Sequence, residues 1–445
     1  MRVAVAGTGY VGLVSGACFA EMGHEVICVD VDPERVARVN SGDAPFHEPG
    51  LSELLRAHVG RRLRATERLP EAVEASEVTF VAVETPFAHG AIDLSAVKSV
   101  ARQIGAVLRA RTAYHVVAVK STVVPGTTAG VVLPILEGAS GRRAGPDFGV
   151  GANPEFLTEG QAVADFLRPD RVVLGGIDAR TWEVLEAVHG GAGGAPVVRT
   201  NPATAEMIKY ASNCLLATAI SLSNEIANLG TALGGIDAAE VMRGVQLSRY
   251  LTSVTASGER VPAGLSPYLY AGCGFGGSCL GKDTRALAAL GRRAGSPTPL
   301  LDAVVEINEA QPSRMLDILR RHFPTLRGLR TAVLGLAFKP DTDDMRDSPA
   351  IPIVRALLAE GASVNAYDPV ARDSARATFH GQPVHLRDSL ESALERVDAA
   401  LLVTRWEEFR RLPSLLRGMR PVPLLVDGRR MLDRESVPRY DGIGL

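Results

Sequence analysis

A strand that runs straight into a glycine turn and then a helix restricts a chain more than any compositional figure. This sequence opens on one: Val3-Ala4-Val5-Ala6, then Gly7-Thr8-Gly9-Tyr10-Val11-Gly12. Gly7 permits the tight turn, Gly9 lets backbone approach a pyrophosphate, and Gly12 allows close helix–sheet packing. The helix that follows presents N–H groups and a positive dipole end to phosphates. Such a turn can also be a plain connector. Asp30 decides between the two readings, because it ends the second apolar run eighteen positions after Gly12. An acid there bonds both ribose hydroxyls and repels a 2′-phosphate, so the expected cofactor is NAD, with Arg35 nearby.

The rest of the first third repeats this pattern. Val3 to Ala6, Glu25 to Asp30, Val78 to Val83 and Val116 to Lys120 are continuous apolar runs, as in a parallel sheet covered on both faces. Helical stretches such as Leu94 to Leu108 separate them. Ala203 to Leu233, begun by Pro202 and stopped by Gly234-Gly235, predicts one long helix of the kind that carries dimer interfaces. From Leu329 the first texture returns: Thr331-Ala-Val-Leu-Gly335 and Val364-Asn-Ala-Tyr-Asp368 echo the opening strand and the run that ends at Asp30. The expected fold is α/β. Two Rossmann-type doubly wound domains, 1–200 for NAD and 301–445 for a nucleotide sugar, flank a helical middle at 201–300.

With 445 residues and 46% apolar residues, the chain can bury more than one core. A formal charge of −2 gives no global basic field for nucleic acid or an anionic membrane. The Met1-Arg2 start leads directly into a strand and leaves no room for a secretory signal. Tyr210 to Asn224 is too short and polar to span a bilayer. Five cysteines, at 18, 28, 214, 273 and 279, are odd in number and lack zinc-ligand spacing. A cytoplasmic protein with free thiols and no metal is expected.

Gly272-Cys273-Gly274-Phe275-Gly276-Gly277-Ser278-Cys279-Leu280-Gly281-Lys282-Asp283 is the second informative stretch. Its glycines permit close backbone approach to a ligand, and a cysteine there can be an accessible nucleophile. If a helix begins at Cys279, Asp283 shares its face near the N-terminus. Cys18, Cys28 and Cys214 lie in apolar patterns and read as buried. Cys273 stays open between the two roles.

These segments together resemble the UDP-glucose/GDP-mannose 6-dehydrogenases over nearly the whole chain. Besides the glycine turn and the cysteine loop, the likeness rests on Glu48-Pro-Gly-Leu51, Thr85-Pro86, Lys120-Ser-Thr122 and Asn153-Pro-Glu-Phe-Leu-Thr-Glu-Gly160. It continues through Glu206-Met-Ile-Lys-Tyr-Ala-Ser-Asn213, Gly335-Leu-Ala-Phe-Lys-Pro340 and Asp427-Gly-Arg-Arg430. The resemblance implies a four-electron oxidation of a hexose alcohol to the acid with two NAD, by thiohemiacetal and thioester intermediates on Cys279. It gives Lys209 and Asn213 to the oxyanion, Asp283 to a water near the reacting carbon and Glu155 to general-base catalysis, with Thr122 near that water. It implies cofactor contacts at Gly7, Gly9, Tyr10, Val11, Gly12, Asp30, Arg35, Thr85, Pro86, Thr122, Glu159 and Arg346. For the nucleotide sugar it implies Glu155, Phe156, Leu157, Lys209, Asn213, Arg260, Tyr268, Phe275, Gly276, Gly277, Phe338 and Lys339, with Arg429 and Arg430 as weaker phosphate or cofactor candidates. A homodimer or higher oligomer is expected.

Two departures stand out. Gly281 replaces a proline before Lys282-Asp283, which removes a rigid φ and loosens the loop. Gln246 to Leu269 is longer than the family's stretch carrying an arginine for the neighbouring subunit; Arg260 and Arg249 compete for that role. Ser121 to Thr127 leans toward GDP-mannose and Tyr268-Leu-Tyr-Ala-Gly272 toward UDP-glucose, the favoured substrate. Ser278 disfavours UDP-N-acetylated hexoses. GDP-mannose oxidation and a catalytically silent nucleotide-sugar-binding protein are the alternatives.

Overall fold

The computed structural model describes residues 1–445, apart from the side chains of residues 191 and 192. It divides into two compact units, Met1–Ser212 and Asn213–Leu445.

The first unit is built on an eight-stranded sheet. Its strands are β1 (Arg2–Ala6), β2 (Glu25–Val29), β3 (Leu63–Thr66), β4 (Val78–Val81), β5 (Val116–Val119), β6 (Gly149–Ala152), β7 (Val172–Gly176) and β8 (Val197–Thr200), in the order β3-β2-β1-β4-β5-β6-β7-β8. The main helices are α1 (Tyr10–Glu21), α2 (Ser95–Leu108), α3 (Ala162–Leu167) and α4 (Ala179–Val188). The continuous apolar runs have the expected cause. Val3 and Val5 pack under α1 with Leu13 and Phe19, while Ala4 and Ala6 pack on the opposite face against Val97 and Ile104 of α2. All pairings are parallel except β6 with β7, which the sequence pattern did not disclose. That pair brings Gly151 opposite Gly176, and a Cβ on Gly151 would lie 2.7 Å from the Gly175 carbonyl oxygen. β4 ends at Val81 rather than Val83, because the Val81 carbonyl accepts from the Lys120 and Ser121 amides. The strand order reverses beside β1, so the first glycine turn opens at the switch point where doubly wound sheets bind ligands.

The long helix α5 spans Pro202–Leu233, as the pattern predicts, and stops where Gly234 and Gly235 both turn left-handed (φ 76° and 71°). Beyond it the second unit carries an exposed antiparallel hairpin, β9 (Thr252–Val254) with β10 (Arg260–Pro262). α6 (Leu280–Arg293) follows the cysteine loop. A fully parallel six-stranded sheet completes the unit: β11 (Arg330–Leu334), β12 (Ser363–Tyr367), β13 (Val384–Leu386), β14 (Ala399–Leu402), β15 (Leu424–Asp427) and β16 (Tyr440–Gly442). Its order is β13-β12-β11-β14-β15-β16, and α7 (Ala350–Ala359) packs in its core. Among the described residues no helix is long and apolar enough to cross a membrane.

Candidate active site

The first glycine turn is shaped as its spacing requires. Gly7 adopts φ 102°, and a Cβ on Gly12 would sit 1.9 Å from the Gly7 oxygen, so α1 presses directly on the turn. Gly9 caps α1 without a side-chain hydrogen bond, and no atom lies within 4 Å of where its Cβ would be. An uncapped helix N-terminus under open space suits a pyrophosphate. Asp30 closes the turn by accepting from the Thr8 amide (2.8 Å) and hydroxyl (2.6 Å), and Arg35 lies 3.5 Å away. Burial raises the Asp30 carboxyl, but the Thr8 and Asp32 hydrogen bonds and the Arg35 charge outweigh it and hold the group below its ordinary range. This set of residues fits NAD.

Tyr10 begins α1, and its hydroxyl donates to buried Glu48. Glu48 also accepts from the Gly160 (2.7 Å) and Ala162 (2.8 Å) amides. The Glu48-Pro-Gly-Leu segment therefore clamps the first turn to the Asn153–Gly160 segment, a role that spacing did not reveal. Thr85 does likewise for its own motif, donating to the Thr122 carbonyl (2.8 Å).

Deeper in this unit, Glu155 and Lys209 form a buried ion pair at 2.9 Å. Glu155 also accepts from the Leu157 amide (2.6 Å). Burial pushes its carboxyl up, but Lys209, the Leu157 amide and the charge of Lys120 overcome that and leave it below the ordinary value. Glu206, one turn before Lys209, accepts from the Gly126 (2.6 Å) and Thr128 (2.8 Å) amides and so ties α5 to the segment carrying Thr122. The Phe156 ring lies under Arg171 (4.0 Å) and within 5.5 Å of the Lys209 ammonium. The Leu157 side chain packs against the core.

The five cysteines differ in exposure. Burial pushes the thiols of Cys18 and Cys28 up to about 12 and that of Cys214 to about 11. Cys273 is also buried, with its thiol raised, 3.7 Å from the Val403 carbonyl. Cys279 is exposed and is the N-cap residue of α6, where a helix end favours negative charge. Its carbonyl accepts from the Asp283 amide (2.8 Å), so the two share the first turn. Asp283 is buried and accepts from the Asn213 amide (2.6 Å) and the Lys282 ammonium (2.6 Å). Gly281 lies inside this helical turn.

The loop before Cys279 is packed closely by protein on one side and lines a cavity on another. A Cβ on Gly276 would meet the Asp347 carbonyl oxygen at 2.4 Å, and one on Gly277 the Phe338 ring at 2.8 Å. Asn308 holds Phe275 by both backbone groups, at 2.8 and 3.0 Å. Arg429 bonds the Gly274 (2.8 Å) and Val403 (2.6 Å) carbonyls, and Arg430 pairs with Asp237 (2.8 Å). Both arginines thus tie segments of this unit together, and Arg429 also lines the cavity beside the loop. Arg346 is exposed and forks onto Asp344, while its carbonyl accepts from Gly277 (2.8 Å). A cavity of about 220 Å³ opens beside this loop, lined by Tyr268, Tyr270, Phe275, Phe338, Lys339 and Arg405. Arg260 stands on the exposed β10 and Arg249 precedes the hairpin.

Comparison with known proteins agrees along the chain. Residues 1–191 match the NAD binding domain of the UDP-glucose/GDP-mannose dehydrogenase family, residues 203–310 its central domain and residues 332–434 its UDP binding domain. The chain is 45% identical to the UDP-glucose 6-dehydrogenase AglM of Haloferax volcanii, over 100% of both. It is 38% identical to a GDP-mannose 6-dehydrogenase of Pseudomonas putida, over 93% of each. A solved UDP-glucose dehydrogenase from Pyrobaculum islandicum superposes with a TM-score of 0.89 at 38% identity, covering 99% of this chain and 97% of that one.

Proposed function

Because the chain belongs to the UDP-glucose/GDP-mannose dehydrogenase family, we propose that it oxidises the C6 alcohol of UDP-glucose to the carboxylate of UDP-glucuronate. It is an NAD-dependent nucleotide-sugar dehydrogenase. The observation that carries the covalent reading is the contrast among its cysteines: four are buried, and exposed Cys279 heads a helix with Asp283 one turn on.

NAD, held by Gly7 to Gly12 and Asp30, supplies the oxidant for both two-electron steps. The chain's own side chains do the rest. Lys209 and Asn213, one turn apart on α5, offer N–H donors to the C6 oxygen as it gains charge. The Cys279 sulfur holds the carbon as a thiohemiacetal at the aldehyde level and as a thioester at the acid level. Glu155 takes a proton from the water that attacks the thioester carbon, and the sulfur leaves as thiolate. A carboxylate held below its ordinary range is in the deprotonated form this step needs. Asp283 fixes the Asn213 amide and orients that water. Tyr268, Phe338 and Lys339 line the cavity that would receive the nucleotide, with Lys339 meeting the diphosphate as a point charge.

UDP-glucose is favoured over GDP-mannose by the higher likeness to relatives named for it. The domain limits 1–200, 201–300 and 301–445, a cytoplasmic location and a homodimer are part of the same proposal. The dimer is supported by Leu215, Leu222 and Leu229, which recur every seventh residue on α5 at 58%, 49% and 54% exposure and form a seam suited to a second copy. The purified protein should yield two NADH per UDP-glucose and no free aldehyde. Faster turnover of GDP-mannose, or one NADH with released aldehyde, overturns the assignment.

A further inference from the structure

Lys120 ends β5 in the interior of the first unit, 3% exposed. Its ammonium donates to the Asn153 side-chain oxygen (3.0 Å) and lies 5.8 Å and 5.5 Å from the ring centres of Phe80 and Phe166. Among the described residues no carboxylate lies within ion-pair distance of it. A buried ammonium satisfied by one neutral amide is costly to keep, so a compensating charge or a task is expected of it.

Both are nearby. Asn153 starts the Asn153-Pro154-Glu155 segment. Its oxygen also accepts from His189 Nε2 (3.1 Å), and its amide donates to the Val173 carbonyl (3.0 Å). Asn153 is thus pinned from three elements, two residues before Glu155. We infer that Lys120 is a positioning residue for Glu155: it fixes the Asn153–Glu155 segment through Asn153 and adds a second cation beside the carboxylate already paired with Lys209. The inference rests on the reading of Glu155 as the base of the hydrolytic step.

The surroundings leave this task to Lys120. Burial, with the Lys120 charge second, brings His189 down to about 3, so it is neutral and donates through Nε2. Cys18 on α1 also faces Lys120, and its thiol is raised to about 12, so it is neutral too. Asp165, Asp170 and Arg171 line the cavity of about 110 Å³ that Glu155 and Lys120 share. Burial lowers Lys120 itself to about 8, against the opposing pull of Glu155, so it carries charge at neutral pH.

The test uses the full chain with Lys120→Gln, which keeps a donor for Asn153 and removes the charge, Lys120→Met, which removes both, and Asn153→Ala, which keeps the charge. Glu155 is titrated by isotope-edited infrared spectroscopy, its carboxylate band assigned by its loss in Glu155→Gln. The midpoint should rise by about one pH unit in both lysine variants and stay in place in Asn153→Ala. The acid limb of kcat should move up by the same amount in Lys120→Gln, and the plateau should fall in Lys120→Met and Asn153→Ala. A midpoint unmoved in Lys120→Gln overturns the inference, as does a lost plateau without any limb shift. The infrared titration judges Lys120 whether or not the enzyme turns over. A wild type that makes NADH while Glu155→Gln keeps full activity would instead refute the base assignment.

Discussion

The six strands of the second sheet repeat the order of β1 to β6 in the first, and the two sheets differ at the first turn. In the first sheet Gly7 to Gly12 leads straight into α1, whose N-terminus is uncapped. In the second sheet Gly335 makes the same left-handed turn (φ 90°), but the chain then wanders through Leu336 to Pro349 before α7 begins. The acid at the end of the second strand also changes task. Asp30 accepts from the Thr8 amide and hydroxyl and from the Asp32 amide, and keeps Arg35 at 3.5 Å. Asp368 accepts from the Leu336, Ala337, Val370 and Ala371 amides and from the Trp406 indole, which leaves it no capacity for a ribose. Topology supplies a place for a ligand, and local hydrogen-bond accounting decides which ligand fits.

The sharpest way to break this contrast is Gly12→Val. Its Cβ lands on the Gly7 oxygen, so NAD affinity measured by fluorescence titration should fall at least about 100-fold. Gly335→Ala collides with Thr404 (2.5 Å) and should cost about 2–3 kcal/mol of stability in denaturant melts while leaving the intrinsic NAD affinity of the folded protein unchanged. Equal loss of NAD binding in both would erase the distinction. Next, Asp368→Ala strands several buried donors and should destabilise the fold by about 3 kcal/mol. Asp30→Ala should mainly weaken NAD, by about tenfold, which one lost charged contact accounts for. The smallest effect is in pH. Asp30 is held below its ordinary value in the fold, so its contribution to stability is complete above the unfolded value of about 3.9 and fades as pH falls through the lower folded value. Asp30→Asn should flatten that part of the acid unfolding curve, and an unchanged slope would show that the Thr8 bonds do not favour the ionised form.

Much of this was legible beforehand because the signals are local. Continuous apolar runs marked β1, β2, β4 and β5 of the first sheet and the first two strands of the second, Pro202 and Gly234 bounded α5, and glycine spacing announced the first turn. What escaped were interactions made at long sequence range. Glu48 bonds partners more than a hundred residues away. The antiparallel β6–β7 pairing leaves no mark in composition. The glycines of the cysteine loop predicted close approach of a ligand but not that Phe338 and Asp347 press on Gly276 and Gly277, while Gly276 also lines the neighbouring cavity. Lys120 passed as part of a recognised motif, and its burial and partners gave it a task.

The central claim is that the Cys279 sulfur carries the substrate carbon and that Glu155 frees it. Glu155→Gln, incubated with NAD and UDP-glucose and digested for mass spectrometry, should retain a UDP-glucuronyl thioester on the peptide containing Cys279. An unmodified Cys279 peptide from that variant, with the wild type producing acid normally, would contradict it.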